Sequence, residues 1–162
     1  MKPLYIFDLD GTLALTEHRQ HILNSGSPTK WRDFFAACVD DKPNISVIRT
    51  LQALRQSGAE VWIWSGRSDE VKSQTVEWLC NHGCFGNSIG TLPAWPFGAP
   101  ERFRMRAAGD FTPDEQLKLG WLSDMEPPER NRLTAVFDDR DKVVKMWREY
   151  GVPCFQVAQG DF

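Results

Sequence analysis

The chemistry of this sequence starts with two carboxylates one residue apart, Asp8 and Asp10. They follow the apolar run Leu4-Tyr5-Ile6-Phe7 and precede Gly11, which lets the backbone turn sharply. In a regular strand this spacing places both side chains on one face. One carboxylate of such a pair can attack phosphorus while the other gives a proton to the leaving oxygen. A carboxylate nucleophile splits the transfer into two easier displacements. Two acids approaching a phosphate repel it, so the pair calls for a cation. Magnesium suits it, because that ion takes a few carboxylate or carbonyl oxygens together with water and substrate phosphate. Asp138 and Asp139, directly after the apolar run Thr134-Ala135-Val136-Phe137, can supply the missing ligands.

Two further residues fit the same chemistry. Ser65 follows Val61-Trp62-Ile63-Trp64. It can hydrogen-bond a phosphate oxygen just ahead of a predicted helix N-terminus, where free N–H groups favour anions. Lys118 can neutralise both the nucleophile and the transferring phosphoryl group. Thr112-Pro113-Asp114-Glu115 reads as a capping box with proline at the first helical position. Asp114, four residues before Lys118 on that helix, stands in the favourable acid-then-base order to hold the ammonium. Each piece alone has a plainer meaning: a turn, a solvated loop, a surface charge. What raises the set above chance is its order of acid pair, serine, lysine and acid pair, with three of the four directly after apolar strands.

The scaffold for these residues is written in the same runs. Three apolar strands ending in polar residues are the pattern of a buried parallel sheet, which carries its site outside the strands' carboxyl ends. Helices are predicted between them. Asn44 caps one with Ile45, Ile48, Leu51 and Leu54 on one face and Gly58 past its end. A second runs from near Ser68 to Gly83 with Val71, Thr75, Trp78 and Leu79 inward, and a third carries Val143, Val144 and Trp147 to Tyr150-Gly151. Cys154 to Val157 is a last strand. Trp62 and Trp64 read as core. This alternation is α/β. The stretch from about residue 14 to 44, with Trp31, Phe34 and Phe35 among polar residues, is either a small cap over the site or an ordinary excursion with its own satellite core. Gly86 to Ala99, rich in glycine and proline, reads as loop. The sequence has no internal repeat or linker, so all 162 residues are expected in one domain.

Composition narrows the partners. A net charge of −3 disfavours extensive binding along a nucleic-acid backbone and leaves room for a short contact at an end. Of Cys38, Cys80, Cys84 and Cys154, only Cys80 and Cys84 are close, with His82 between them; no second pair completes a zinc site or a disulfide framework. Reduced thiols and a cytoplasmic setting are expected. The run Leu4 to Phe7 is far too short for a signal peptide or a membrane span. His18 and His21 lack a third ligand and read as cap or surface residues. Trp31 reads as packing within the cap, with stacking on a nucleobase as the alternative.

At these residues the sequence resembles the haloacid dehalogenase superfamily of phosphohydrolases. Asp8-Leu9-Asp10-Gly11-Thr12-Leu13 matches its first motif, and Ser65, Lys118 and Asp138-Asp139 match the second, third and fourth. The resemblance implies a Rossmann-like sheet with helices on both faces, a cap inserted after the first strand, and Mg2+. It makes Asp8 the nucleophile and Asp10 the general acid/base and, through its main-chain carbonyl, a metal ligand. A closer resemblance, over almost the whole chain, is to the 3′-phosphatase domain of bacteriophage-type polynucleotide kinase-phosphatase. It rests on Asp138-Asp139-Arg140, Val143-Val144, Met146-Trp147-Arg148, Gly151-Val152, Gln156-Val157-Ala158 and Gly160-Asp161-Phe162. Arg19, Arg67, Arg106 and Asp114 fall where that family places residues for substrate. Arg67, beside Ser65, invites an anion-binding role by position alone. No GxxxxGK[ST] occurs, so no kinase activity is expected.

Three functions stay open on the sequence. The first is a phosphatase for 3′-phosphorylated DNA or RNA ends. The second is a phosphatase for small nucleotides using the same residues. The third is a binding module without catalysis, the weakest because every chemical position holds a competent residue.

Overall fold

The structure is a computed structural model and describes residues 1–85 and 102–160. The predicted loop at Gly86–Ala99 lies outside the described residues.

β1 (Leu4–Phe7) is apolar throughout because it is the central strand of five, with neighbours on both edges and helices over both faces. The chain then makes a small antiparallel pair, β2 (Ala14–Leu15) with β3 (Lys42–Pro43). Between them lie two short helices, α1 (Gln20–Leu23) and α2 (Lys30–Ala36). After β3 the chain alternates: α3 (Ile45–Gln56), β4 (Glu60–Ser68), α4 (Lys72–Asn81), β5 (Phe103–Arg106), α5 (Asp114–Ser123), α6 (Pro127–Arg132), β6 (Leu133–Asp138), α7 (Asp141–Glu149) and β7 (Cys154–Gln156). The sheet order is β5-β4-β1-β6-β7, with every pairing parallel. The expected Rossmann-like α/β architecture with a small insertion after the first strand is what the chain adopts.

The period of two along each strand divides the core. Phe7 and Ile63 face Ile48 and Leu51 of α3 and Trp78 and Leu79 of α4. Leu4, Ile6, Trp62, Trp64 and Val136 face Leu122 of α5 and Val143, Val144 and Trp147 of α7. Trp62 and Trp64 are core, as their alternation predicts.

One helix start differs from expectation. α5 begins at Asp114 with Pro113 in the cap position and no side-chain cap, not at Pro113 with a Thr112 cap. The cause is Arg106, whose Nη1 donates to the Thr112 carbonyl at 2.5 Å and keeps that residue outside the helix. β4 runs on to Ser68, and the Ser68 side chain accepts from the Glu70 N–H. The helix predicted from near Ser68 thus starts there, as a short 3-10 turn over Asp69–Val71 that leads into α4.

Candidate active site

The site forms at the carboxyl edge of β1, β4 and β6. The central strand has β4 on one side and β6 on the other, so the chain's connections diverge there and leave a crevice. Asp8 comes directly after β1 and donates its N–H to the Phe137 carbonyl of β6 at 2.9 Å, which fixes the turn. Gly11 completes it at φ 85°. A Cβ there would lie 2.1 Å from Asp139 Oδ2, so only glycine lets the Asp139 carboxylate close on the turn.

Four charged groups meet at this edge. Lys118 Nζ donates to Asp8 Oδ1 at 2.5 Å and to Asp138 Oδ2 at 2.7 Å, and its side chain is 3% exposed. Asp8, Asp138 and Asp139 are all buried, and each offers a carboxylate oxygen within 4.8 Å of the other two. Burial pushes Asp8 well above the usual carboxylate range, with Lys118 opposing and Asp138 and Asp139 adding to the rise. Burial and the Asp138 charge push Asp139 up to about 6. Lys118 is driven the other way: burial opposes its charge, but Asp138 and Asp8 outweigh burial and raise its proton affinity. Three buried acids face one ammonium, a deficit of positive charge that one divalent cation would close. The donor set therefore fits a hard cation that prefers oxygen.

A second buried network lies under Asp10. Arg19 and Arg67 have side chains 0% exposed. Arg19 Nη2 donates to Asp10 Oδ1 at 2.8 Å, and Arg67 donates to both Asp10 oxygens. Below them Asp41 accepts from Arg19 Nε and Nη2, both at 2.7 Å, and from Arg67 Nη2 at 2.8 Å. His18 Nε2 also meets Asp41 Oδ1, at 2.9 Å. Burial works against the Asp10 charge, yet Arg67 and Arg19 outweigh it and hold the carboxyl below its usual range. Arg67 reaches this position because β4 departs from register with β5 between Ser65 and Ser68, which turns the guanidinium under the turn. The two arginines thus point at acids of the chain. Neither lines the cavity above.

Ser65 stands two residues beyond Ile63, which pairs with Phe7, so it is level with the Asp8–Asp10 turn. It is 0% exposed, and its Oγ accepts from the Arg67 N–H at 3.1 Å. Arg106 and Asp114 form a third group. Arg106 Nε donates to the Gly66 carbonyl at 2.8 Å, and Nη2 donates to Asp114 Oδ1. Asp114 Oδ2 accepts from Arg140 Nη1 at 2.6 Å. Asp114 therefore bridges two arginines and does not hydrogen-bond Lys118, whose ammonium reaches the two acids at the strand ends. Gly66 permits this approach, since a Cβ there would lie 2.6 Å from Asp114 Oδ1.

All ten residues expected at the site gather at one edge of the sheet. Two participants were missed. Asp41 gave no signal, because it follows no apolar strand and looks like one more acid in a polar stretch. Arg140 was visible only as part of the Asp138-Asp139-Arg140 run. Above the charged floor opens a cavity of about 770 Å3, walled by the inserted segment on one side and residues 106–114 on another.

Comparison with known proteins agrees with this geometry. The family model of the polynucleotide kinase PNKP phosphatase domain matches residues 2–162. Among solved structures, a chain of the Pnkp1/Rnl/Hen1 RNA repair complex superposes with a TM-score of 0.71 at 28% identity, over 99% of this chain and 44% of that one. The chain thus spans under half the length of that relative. A class C acid phosphatase from Bacillus anthracis, with tungstate bound, gives a TM-score of 0.63 at 14% identity, over 99% of this chain and 68% of that one. CbbY from Rhodobacter sphaeroides, in complex with phosphate, gives 0.53 at 18% identity, over 100% and 88%. The last two speak for the fold alone.

Proposed function

Since the chain belongs to the polynucleotide kinase PNKP phosphatase-domain family and is a phosphoric monoester hydrolase of the haloacid dehalogenase type, we propose that it removes 3′-phosphates from DNA or RNA ends through a phosphorylated Asp8. The observation that carries the chemistry is the buried set of Asp8, Asp138 and Asp139 with Lys118 bridging two of them.

In this reading Asp8, Asp138 and Asp139 would hold Mg2+, and the Asp10 main-chain carbonyl would be a further ligand. When bound, the ion screens the acids from the phosphate and draws charge from its oxygens. The chain does the rest. Asp8 attacks phosphorus and forms the P–Oδ bond as the P–O3′ bond breaks. Asp10, which takes up a proton from solvent as the phosphate dianion enters, gives it to O3′. Lys118 neutralises the charge that builds on the phosphoryl oxygens, and Ser65 hydrogen-bonds one of them. Water then attacks phosphorus, its proton passes to Asp10, and the P–Oδ bond breaks to release inorganic phosphate and free Asp8. Arg19 and Arg67 keep Asp10 charged at rest, and the incoming phosphate dianion opposes their pull, so proton affinity rises when a proton is needed. Arg106 and Asp114 act by fixing the wall of the cavity that holds the nucleotide. The segment 14–44 serves as the cap. Four free cysteines are consistent with a cytoplasmic setting.

The test is phosphate release from 3′-phosphorylated DNA and RNA oligonucleotides beside a panel of mononucleotides, with Mg2+ and with chelator. Turnover of 3′ ends that needs the ion is expected. An enzyme that ignores 3′-phosphate ends and cleaves free nucleotides would instead be a small-molecule phosphatase.

A further inference from the structure

The cavity is larger than a phosphate needs, and its upper walls carry aromatic rings that the phosphate chemistry does not use. Among the described residues seven large hydrophobic side chains are exposed, and of these only Trp31 and Phe111 line the cavity. Trp31 is 48% exposed and Phe111 82%. Leaving a large apolar ring in water forgoes the stabilisation its burial would bring, so two such rings at the mouth of one cavity call for a partner.

The Trp31 ring and the backbone that carries Phe111 are held in place. Trp31, on α2, meets Phe34 edge-on with centroids 6.1 Å apart and Phe35 at 6.0 Å. Phe34 is in turn 4.1 Å from the guanidinium of Arg19, the residue that holds Asp10. The Trp31 ring is thus linked through two residues, Phe34 and Arg19, to the acid that serves the leaving oxygen. Phe111 belongs to the segment 106–114 that also lines the cavity. Arg106 Nη1 donates to the carbonyls on either side of Phe111, Asp110 at 3.3 Å and Thr112 at 2.5 Å, and the Thr112 N–H meets Asp110 Oδ1 at 2.8 Å. The loop is pinned while its aromatic tip stays in water. A rigid ring loses little freedom when a flat ligand stacks on it.

We propose that Trp31 and Phe111 form a stacking slot for the nucleobase of the 3′-terminal nucleotide, whose phosphate lies at Asp8. This rests on the polynucleotide reading above and names how that substrate is gripped. A base is the occupant that fits: it is flat and apolar on its faces, and it is joined to the phosphate that the floor of the same cavity binds. Every base has a π-face, so the slot accepts all four with little preference. Such a grip suits a protein of net charge −3, which gains little by tracking the phosphate backbone. It also gives Arg106 its role, as the residue that fixes Phe111.

The test compares a 3′-phosphorylated oligonucleotide with the same strand lacking only its terminal base. Wild type should favour the base-bearing strand in kcat/KM. Trp31→Ala and Phe111→Ala should each cut that preference by about five- to 150-fold, the ~1–3 kcal/mol of one stacked base converted at ~1.4 kcal/mol per tenfold. Trp31→Phe should restore most of it. Tyr150→Ala, at an exposed aromatic outside the cavity, should leave the preference unchanged. A wild type indifferent to the terminal base, or alanine variants that keep the wild-type preference, would overturn the slot. If wild type ignores 3′-phosphate ends altogether, the polynucleotide reading fails, and the same variants on nucleoside monophosphates against sugar phosphates decide the slot by the same ratio.

Discussion

Asp41→Asn isolates the network beneath Asp10. The Asp41 side chain is 0% exposed, and its carboxylate accepts three hydrogen bonds from Arg19 and Arg67. Asparagine keeps the shape and removes the charge. The buried balance of two guanidiniums against Asp10 and Asp41 then has only one acid on its negative side. Breaking a buried pair in this way costs about 3–5 kcal/mol, a large share of a total of about 5–15 kcal/mol. For a chain of this length the melting temperature should fall by about 6–20 °C, at about 2–4 °C per kcal/mol. The variant should therefore be folded when assayed in the cold.

The catalytic effect depends on where the released guanidiniums turn. With Asp41 neutral, both lean on Asp10 and hold it more firmly as the carboxylate, which is the wrong form for protonating O3′. One charge-assisted contact is worth about 1.5–3 kcal/mol, about ten- to hundredfold in rate. The assay is kcat/KM, which reports steps up to departure of the leaving group. It should fall by that factor on a 3′-phosphorylated oligonucleotide, whose alkoxide needs a proton to leave. It should fall far less on p-nitrophenyl phosphate, whose phenolate leaves unaided. Equal losses on both substrates in folded protein would refute the idea that Asp41 acts through Asp10. An unchanged melting temperature would refute the account of the buried balance.

Asp8→Asn should abolish turnover, and because it removes an acid that burial already penalises, the variant should melt no lower than wild type in chelator. Residual wild-type turnover in a folded sample would contradict the nucleophile assignment. The metal-free protein should lose stability as pH rises from 4 to 7. Asp139 is held at about 6, so between its unfolded value of 3.8 and 6 the folded state binds the extra proton, and above that range the penalty is roughly 3 kcal/mol. Mg2+ should accordingly raise the melting temperature more at pH 7.5 than at pH 5, and equal shifts at both would count against metal at these acids. Gly11→Ala should weaken the Mg2+ response and lower the melting temperature, since a Cβ at φ 85° is strained and lies 2.1 Å from Asp139 Oδ2; an unaltered Mg2+ titration would exclude it.

Legibility in this chain divides along one physical line. A parallel strand buried on both faces must be apolar end to end, and the residues just after it emerge at the sheet's carboxyl edge. Hence Leu4–Phe7, Val61–Trp64 and Thr134–Phe137 announced both the sheet and the residues that meet at its edge. The side-chain partners were not announced, because they depend on tertiary register. Arg67 and a surface arginine are the same letter. The departure from register between β4 and β5 is what turns Arg67 under Asp10 and away from the cavity. Asp114 has the i, i+4 spacing to hold Lys118, but two guanidiniums reach it first, and the ammonium is drawn to a pair of buried acids that spacing on one helix cannot reveal. Asp41 belongs to no periodic pattern at all. It matters because burying two arginines requires two acids, and Asp10 is only one of them. Charge balance at the expected site demands a second acid, but only the packing of β3 and its flanking helices beneath the Asp10 turn selects Asp41 from the chain's other carboxylates.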